Sequence, residues 1–246
     1  MPFDLGPGLS ATLALALLAA AYVRGYSGFG FSAIFIACAA LLTNPLPLIP
    51  VVFLCEILMT AFQARGIRPH VDWRRVLWLW LGAALALPFA VAAILSVGEG
   101  TARLIVSGLV FVMSLVLLSG WTLQRVLGGG GFAGVGVVSG ICNGAGIGGL
   151  PVAAFLSAQP IPAPVFRATM IVYLTGLDLM TLPWMWHGGM VTGDTALAAA
   201  LALPFLGLGI WLGGKRFTAA SPTEFRRFAV LLLLGLSGLG LIRAIL

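Results

Sequence analysis

Charge is what this chain has least of. Only 8% of its 246 residues are Asp, Glu, Lys or Arg, against 61% hydrophobic ones, whereas soluble domains carry about 25% charged residues. So few charges cannot cover a water-facing surface, and with a mean hydropathy of +1.12 the chain reads as an integral membrane protein. Its longest polar interruption, around residues 65 to 75, is too short to fold alone. Residues 1–246 are therefore expected to form a single membrane domain, placed in the cell membrane as a multi-pass protein, the inner membrane if the cell is bacterial.

Other scarcities narrow the chemistry. There are two histidines, His70 and His187, both at predicted loops, and no H-E-x-x-H or G-x-S-x-G pattern, so an enzyme, a metal centre and a cofactor are not expected. Cys38, Cys55 and Cys142 are odd in number, lie in apolar surroundings and show no C-x-x-C spacing, which makes them small core residues. Net charge is +6, but the basic residues sit between apolar runs as topology signals, and no nucleic-acid partner is expected. Met1-Pro2-Phe3-Asp4 lacks a basic run, so the apolar stretch after it is expected to be retained as structure rather than removed as a signal peptide.

What the chain has in excess is apolar length. A helix crosses the hydrocarbon core with about 20 residues, which predicts full spans at about 45–64, 74–97, 102–123, 165–186, 194–215 and 224–246. Two further stretches, 8–43 and 132–158, are apolar but broken by glycine. The first is interrupted at Gly25, Gly28 and Gly30; the second at Gly140 to Pro151, where five glycines and a proline fall in twelve residues. Such a run cannot continue an ordinary helix. The chain therefore reads as two halves of one plan, about 8–123 and about 132–246, each a broken-helix hairpin followed by three transmembrane helices in an all-α polytopic protein. The spacing agrees: Gly144 and Gly146 follow Gly28 and Gly30 by 116 positions, and Pro160 and Pro162 follow Pro45 and Pro47 by 115. Thr60 and Gln63 then fall on Thr175 and Asp178.

The two densest basic loops, 65–75 and 215–227 (Lys215, Arg216, Arg226, Arg227), belong on the cytoplasmic side, with Arg125 and Arg167. An even number of crossings must separate them, so the second broken stretch enters and leaves on one side. The halves are then inverted repeats, as in secondary transporters whose paired glycine-interrupted segments mark a site near the midplane. Trp73, Trp78, Trp121, Trp184, Trp186 and Trp211 lie near predicted span ends, as headgroup anchors.

Irregular backbone inside a bilayer survives only where protein or a wet cavity satisfies it. Free N–H groups around Gly28 to Ser32 and Gly144 to Gly149 are expected to face a bound anion. The candidate substrate-binding residues are Arg24, Ser27, Gly28, Gly30, Ser32, Asn143, Gly144, Gly146, Gly148 and Gly149. The alternative is that the glycines serve helix packing. Arg24 either faces the anion or sits at the cytoplasmic interface. Glu56 and Asp178, the two acids well inside predicted spans, are proton-coupling candidates; the alternative is a structural role, protonated or paired with Arg24 or Arg167. Tyr173, Thr169, Thr175 and Gln63 either line the cavity or bond neighbouring helices.

The first Gly-x-Gly break, the second break Gly144-Ala145-Gly146-Ile147-Gly148-Gly149-Leu150-Pro151 and eight or so hydrophobic segments together resemble the sulfite exporter TauE/SafE family, small membrane permeases for sulfur-containing anions. The resemblance spans essentially the whole chain. It implies a secondary transporter of sulfite or an organosulfonate. The first break departs from the family pattern, with Phe31, Ser32 and Ala33 where more glycine is expected and Phe35 where the second half has Pro151. A different class of reading, a membrane scaffold or partner-binding subunit with no transport of its own, rests on the packing role of the glycines.

Overall fold

The computed structural model describes residues 2–123, 128–217 and 222–245. Arg125 lies outside the described residues, as do the side chains of Arg65, Arg216, Arg226 and Arg227. All regular structure among the described residues is helical. A short 3-10 turn at Pro2–Asp4 precedes α1 (Pro7–Ser27), α2 (Phe31–Leu42), α3 (Ile49–Ile67), α4 (Trp73–Leu95), α5 (Glu99–Leu118), α6 (Gly129–Gly144), α7 (Gly149–Ser157), α8 (Ala163–His187), α9 (Gly193–Phe217) and α10 (Pro222–Ile245). Among the described residues, six helices (α1, α3, α4, α5, α8 and α9) are long and apolar enough to cross a membrane. Their outward faces are apolar: Phe89 on α4 is 77% exposed and Trp186 on α8 is 74% exposed, surfaces suited to lipid rather than to water.

Local sequence sets the boundaries. α1 opens on Pro7, whose missing N–H costs nothing in a first turn, and closes at Gly28, left-handed at φ 82°, with its N–H returned to the Arg24 carbonyl at 2.8 Å. Asp72 caps α4 by accepting from the Arg75 N–H at 3.2 Å. The broken stretches 8–43 and 132–158 are each a pair of helices, α1 with α2 and α6 with α7. Their arms are unequal. At about 1.5 Å per residue, the 21 residues of α1 reach across a bilayer, while the 12 of α2 and 9 of α7 do not.

The helices pack in a regular exchange. α1 lies on α9 as α6 lies on α4; α2 meets α10 as α7 meets α5; α3 meets α9 as α8 meets α4; and α3 crosses α8 while α5 crosses α10. Two of these pairs are in backbone contact. A methyl group on Gly82 of α4 would strike the Ala133 carbonyl of α6, and one on Gly213 of α9 would strike the Tyr22 carbonyl of α1. Between apolar helices in lipid, such close approach is a main source of attraction. Gly82→Ala is therefore expected to cost about 1–3 kcal/mol, the usual penalty of overpacking, seen as a lower midpoint of thermal unfolding in detergent. Gly134→Ala, where nothing lies within 4 Å, is the control expected to unfold like the wild type.

Candidate functional site

The polar residues of the apolar helix α3 fall into register. Glu56, Thr60 and Gln63 are spaced i, i+4, i+7, one above the other on a single face. On α8 the same spacing is held by Ile171, Thr175 and Asp178. The two helices run antiparallel, since Ile67 near the end of α3 clusters with Ala168 and Ile171 near the start of α8. They cross where Thr60 Oγ1 meets Thr175 Oγ1 at 2.7 Å, a contact between residues 115 apart.

Arg24, from the last turn of α1, reaches into this crossing. Its Nη1 pairs with Glu56 Oε1 at 3.0 Å and its Nη2 donates to Thr60 Oγ1 at 3.1 Å. Both members of the ion pair are shut away from solvent, at 0% and 1% exposure. Arg24 is therefore a buried cation, and an isolated charge there would cost several kcal/mol without its partner. Its Nε has no hydrogen-bond partner among the described residues. Asp178, 1% exposed, lies close enough to Glu56, Arg24 and Asn143 for each to act on it, yet neither carboxyl oxygen makes a hydrogen bond among the described residues. One guanidinium thus faces two carboxyl groups. Arg167, the basic residue of α8, donates from Nη2 to the Gly25 carbonyl at 2.7 Å, closing the end of α1.

The glycine breaks lie beside this cluster. At the first, Gly28 and Gly30 adopt φ of 82° and 91°, conformations other residues rarely take. Gly28 packs on Arg167, since a Cβ there would meet its side chain at 2.8 Å. Ser27 Oγ lies 2.8 Å from both the Val23 and the Phe29 carbonyls, shares its one proton between them, and so closes the turn. The Gly30, Phe31 and Ser32 amides, at the start of α2, have no partner among the described residues. At the second break most amides are already used. The N–H groups of Ala145 and Ile147 return to the Cys142 carbonyl, and that of Gly146 to the Asn143 carbonyl; those of Gly148 and Gly149 have no such partner.

The other expected residues divide between the cluster and packing. Asn143 Nδ2 donates to Thr181 Oγ1 at 2.9 Å, which sets it beside Asp178. Gly144 packs on Ala90 of α4, Gly146 on Ile36 and Ile49, and Gly149 on Leu174. Gly148 lies under the Asn143 side chain and accepts, through its carbonyl, a 2.5 Å bond from Ser139 Oγ. Along α8 the first break touches Arg167, while the second touches Leu174 through Gly149 and Thr181 through Asn143. Thr175 and Asp178 of the cluster therefore lie beside the second break, between its contacts at Leu174 and Thr181.

Two residues of this neighbourhood escaped the reading of the sequence. Ser139 takes the Tyr173 hydroxyl at 2.6 Å, and Thr181 holds Asn143. Thr169 binds the 70–72 loop, accepting from the Asp72 N–H at 3.1 Å. Tyr173 and Thr169 are thus helix fasteners, whereas both polar atoms of Gln63 are buried and have no partner among the described residues. At the end of the molecule where α8 turns into α9, a cavity of about 590 Å³ is lined by Phe3, Pro47, Ile94, Thr192 and Asp194. Phe3 is pinned there by its N–H, which donates to Asp194 Oδ2 at 2.9 Å.

Among protein families, the model described as sulfite exporter TauE/SafE matches residues 13–241 of the chain. No curated protein and no solved structure matches it.

Proposed function

Because the chain belongs to the sulfite exporter TauE/SafE family, a family of membrane transporters, we propose that it carries a small sulfur-containing anion, sulfite or an organosulfonate, by alternating access, with a proton on the Glu56 and Asp178 pair. The observation that carries this reading is the wholly buried Arg24 held between Glu56 and Thr60 at the crossing of α3 and α8. A cation kept deep among apolar helices, half neutralised by a carboxylate and next to a second acid, is costly as mere structure and serviceable as an anion site. The lipid bilayer is its solvent and a small anion its partner.

The whole chain works as one membrane domain of two inverted repeats, about 8–123 and about 132–246. The packing supports this. Exchanging α1–α5 for α6–α10 turns each helix contact named above either into another that is present or, for α3 with α8 and α5 with α10, into itself. Pro88 in α4 and Pro204 in α9, each inside its helix, stand 116 positions apart, and the Thr60 to Thr175 contact joins residues of equivalent place. In such an arrangement the shared site opens to one face and then the other as the halves trade conformations.

The test is flux. Reconstituted in proteoliposomes, the protein is expected to take up radiolabelled sulfite or an organosulfonate with saturable kinetics and to exchange it against unlabelled anion. Uptake that never saturates, for any sulfur oxyanion tried, would remove the reading.

A further inference from the structure

A second polar recess, sharing no lining residue with the Arg24 cluster, lies where α4 and α6 begin. It is a cavity of about 320 Å³, at the small end of ligand pockets, which run from about 300 to 1,000 Å³. The two helices run parallel, since Gly129 packs on Trp78 and Gly144 on Ala90. Both therefore turn their N-termini, the positive ends of their dipoles, toward one face. That face carries the loop 65–75, whose basic residues are the signal of a cytoplasmic side.

Arg74 and Arg75 bring two cations to the recess and Asp72 one carboxylate. Both carboxylate oxygens are in use: Oδ1 accepts from the Arg75 N–H at 3.2 Å, and Oδ2 pairs with Arg75 Nε at 3.2 Å. The Arg75 guanidinium is steadied further by Phe132, whose ring centroid is 5.7 Å away. Arg74 is exposed and makes no ion pair or hydrogen bond among the described residues. Facing these side chains, α6 opens with no side-chain cap and no acid in its first turn, and the Gly129 N–H has no partner among the described residues. Leading away from the recess along α4, Trp78, Leu81, Leu85 and Phe89 recur at helical spacing as an exposed apolar stripe.

We propose that this recess holds the phosphate of an anionic phospholipid, with the acyl chains laid along the α4 stripe. The phosphate oxygens accept from Arg74 and from the Gly129 amide, and Trp78 lies at the boundary between headgroup and chain, where such rings anchor. One net positive charge matches one phosphodiester. A zwitterionic lipid also brings an ammonium, which would meet a positive recess whose carboxylate is already taken by Arg75. The stripe commits the occupant to a lipid, because a soluble phosphate or sulfur oxyanion would fill the charged end and leave the apolar face unused. Basic pockets between helices on the cytoplasmic side take anionic headgroups in this way.

Thermal unfolding of the purified full-length protein in detergent tests this with dihexanoyl phosphatidylglycerol, dihexanoyl phosphatidylcholine and glycerol 3-phosphate at matched ionic strength. Phosphatidylglycerol is expected to raise the midpoint to a plateau, while the zwitterionic lipid and the chain-free phosphate leave it unmoved at the same concentrations. Arg74→Gln should weaken phosphatidylglycerol about fivefold, the roughly 1 kcal/mol that one basic side chain supplies at an anionic surface. Gly128→Asp guards against a folding artefact. Gly128 lines the recess with extended backbone at φ −73°, ψ 179° and nothing within 4 Å, so an aspartate there caps α6 while adding a second acid. Its lipid-free midpoint should hold or rise, and its response to phosphatidylglycerol should vanish. No shift with phosphatidylglycerol, an equal shift with phosphatidylcholine or with glycerol 3-phosphate, or wild-type phosphatidylglycerol affinity in both variants overturns the proposal.

Discussion

Arg24→Met is expected to abolish anion flux and to lower stability by about 3–5 kcal/mol, the cost of stranding one member of a buried ion pair. Glu56, 1% exposed and bound to Arg24 Nη1 at 3.0 Å, would be left facing Asp178 without a cation between them. The double change Arg24→Met with Glu56→Met removes both charges and fills the same space, so its unfolding midpoint should return close to that of the wild type. Its flux should not. Measured side by side, thermal unfolding and proteoliposome uptake thus separate the structural from the transporting role of the pair. A folded Arg24→Met protein that still carried sulfite at the wild-type rate would disqualify this arginine as an anion ligand.

The second large effect concerns the proton. An anion that moves with a proton collects on the less acidic side of the membrane, and a pH difference of one unit, about 1.4 kcal/mol per proton, sustains about tenfold accumulation. Glu56→Gln and Asp178→Asn each remove one of the two acids that confront a single guanidinium. Each is expected to abolish pH-driven accumulation while leaving exchange of labelled for unlabelled anion, because exchange needs the seat but no net proton movement. Asp178→Asn is the gentler test, since Asp178 makes no hydrogen bond among the described residues and its loss breaks no ion pair. Unchanged pH dependence in both variants would reject coupling through these groups.

Much of this architecture was legible in the letters. Spans of twenty apolar residues, prolines between them and paired glycine breaks located the long helices to within a few residues, because in lipid both hydropathy and backbone satisfaction act on long continuous segments. The scarcity of charge made Arg24, Glu56 and Asp178 conspicuous. Their grouping was less legible. That Arg24 spans from α1 to α3, at a separation of 32 positions, depends on how helices cross, which periodicity within one helix does not encode. The breaks themselves gave a mixed signal: a glycine-rich run looks the same whether its amides are open, as at Gly30 to Ser32, or folded back onto carbonyls, as at Ala145 to Ile147. The stripe Glu56, Thr60, Gln63 was available as a spacing of four and three inside an apolar helix, and it is the clue that points at the crossing.

The glycine contacts between α1 and α9, and between α4 and α6, decide which helices hold together as rigid units. Each of these couples draws one helix from the first half of the chain and one from the second, and backbone touching backbone leaves no side-chain cushion to slide on. The units held rigid by packing are accordingly the two mixed couples, each of which ties one half of the chain to the other.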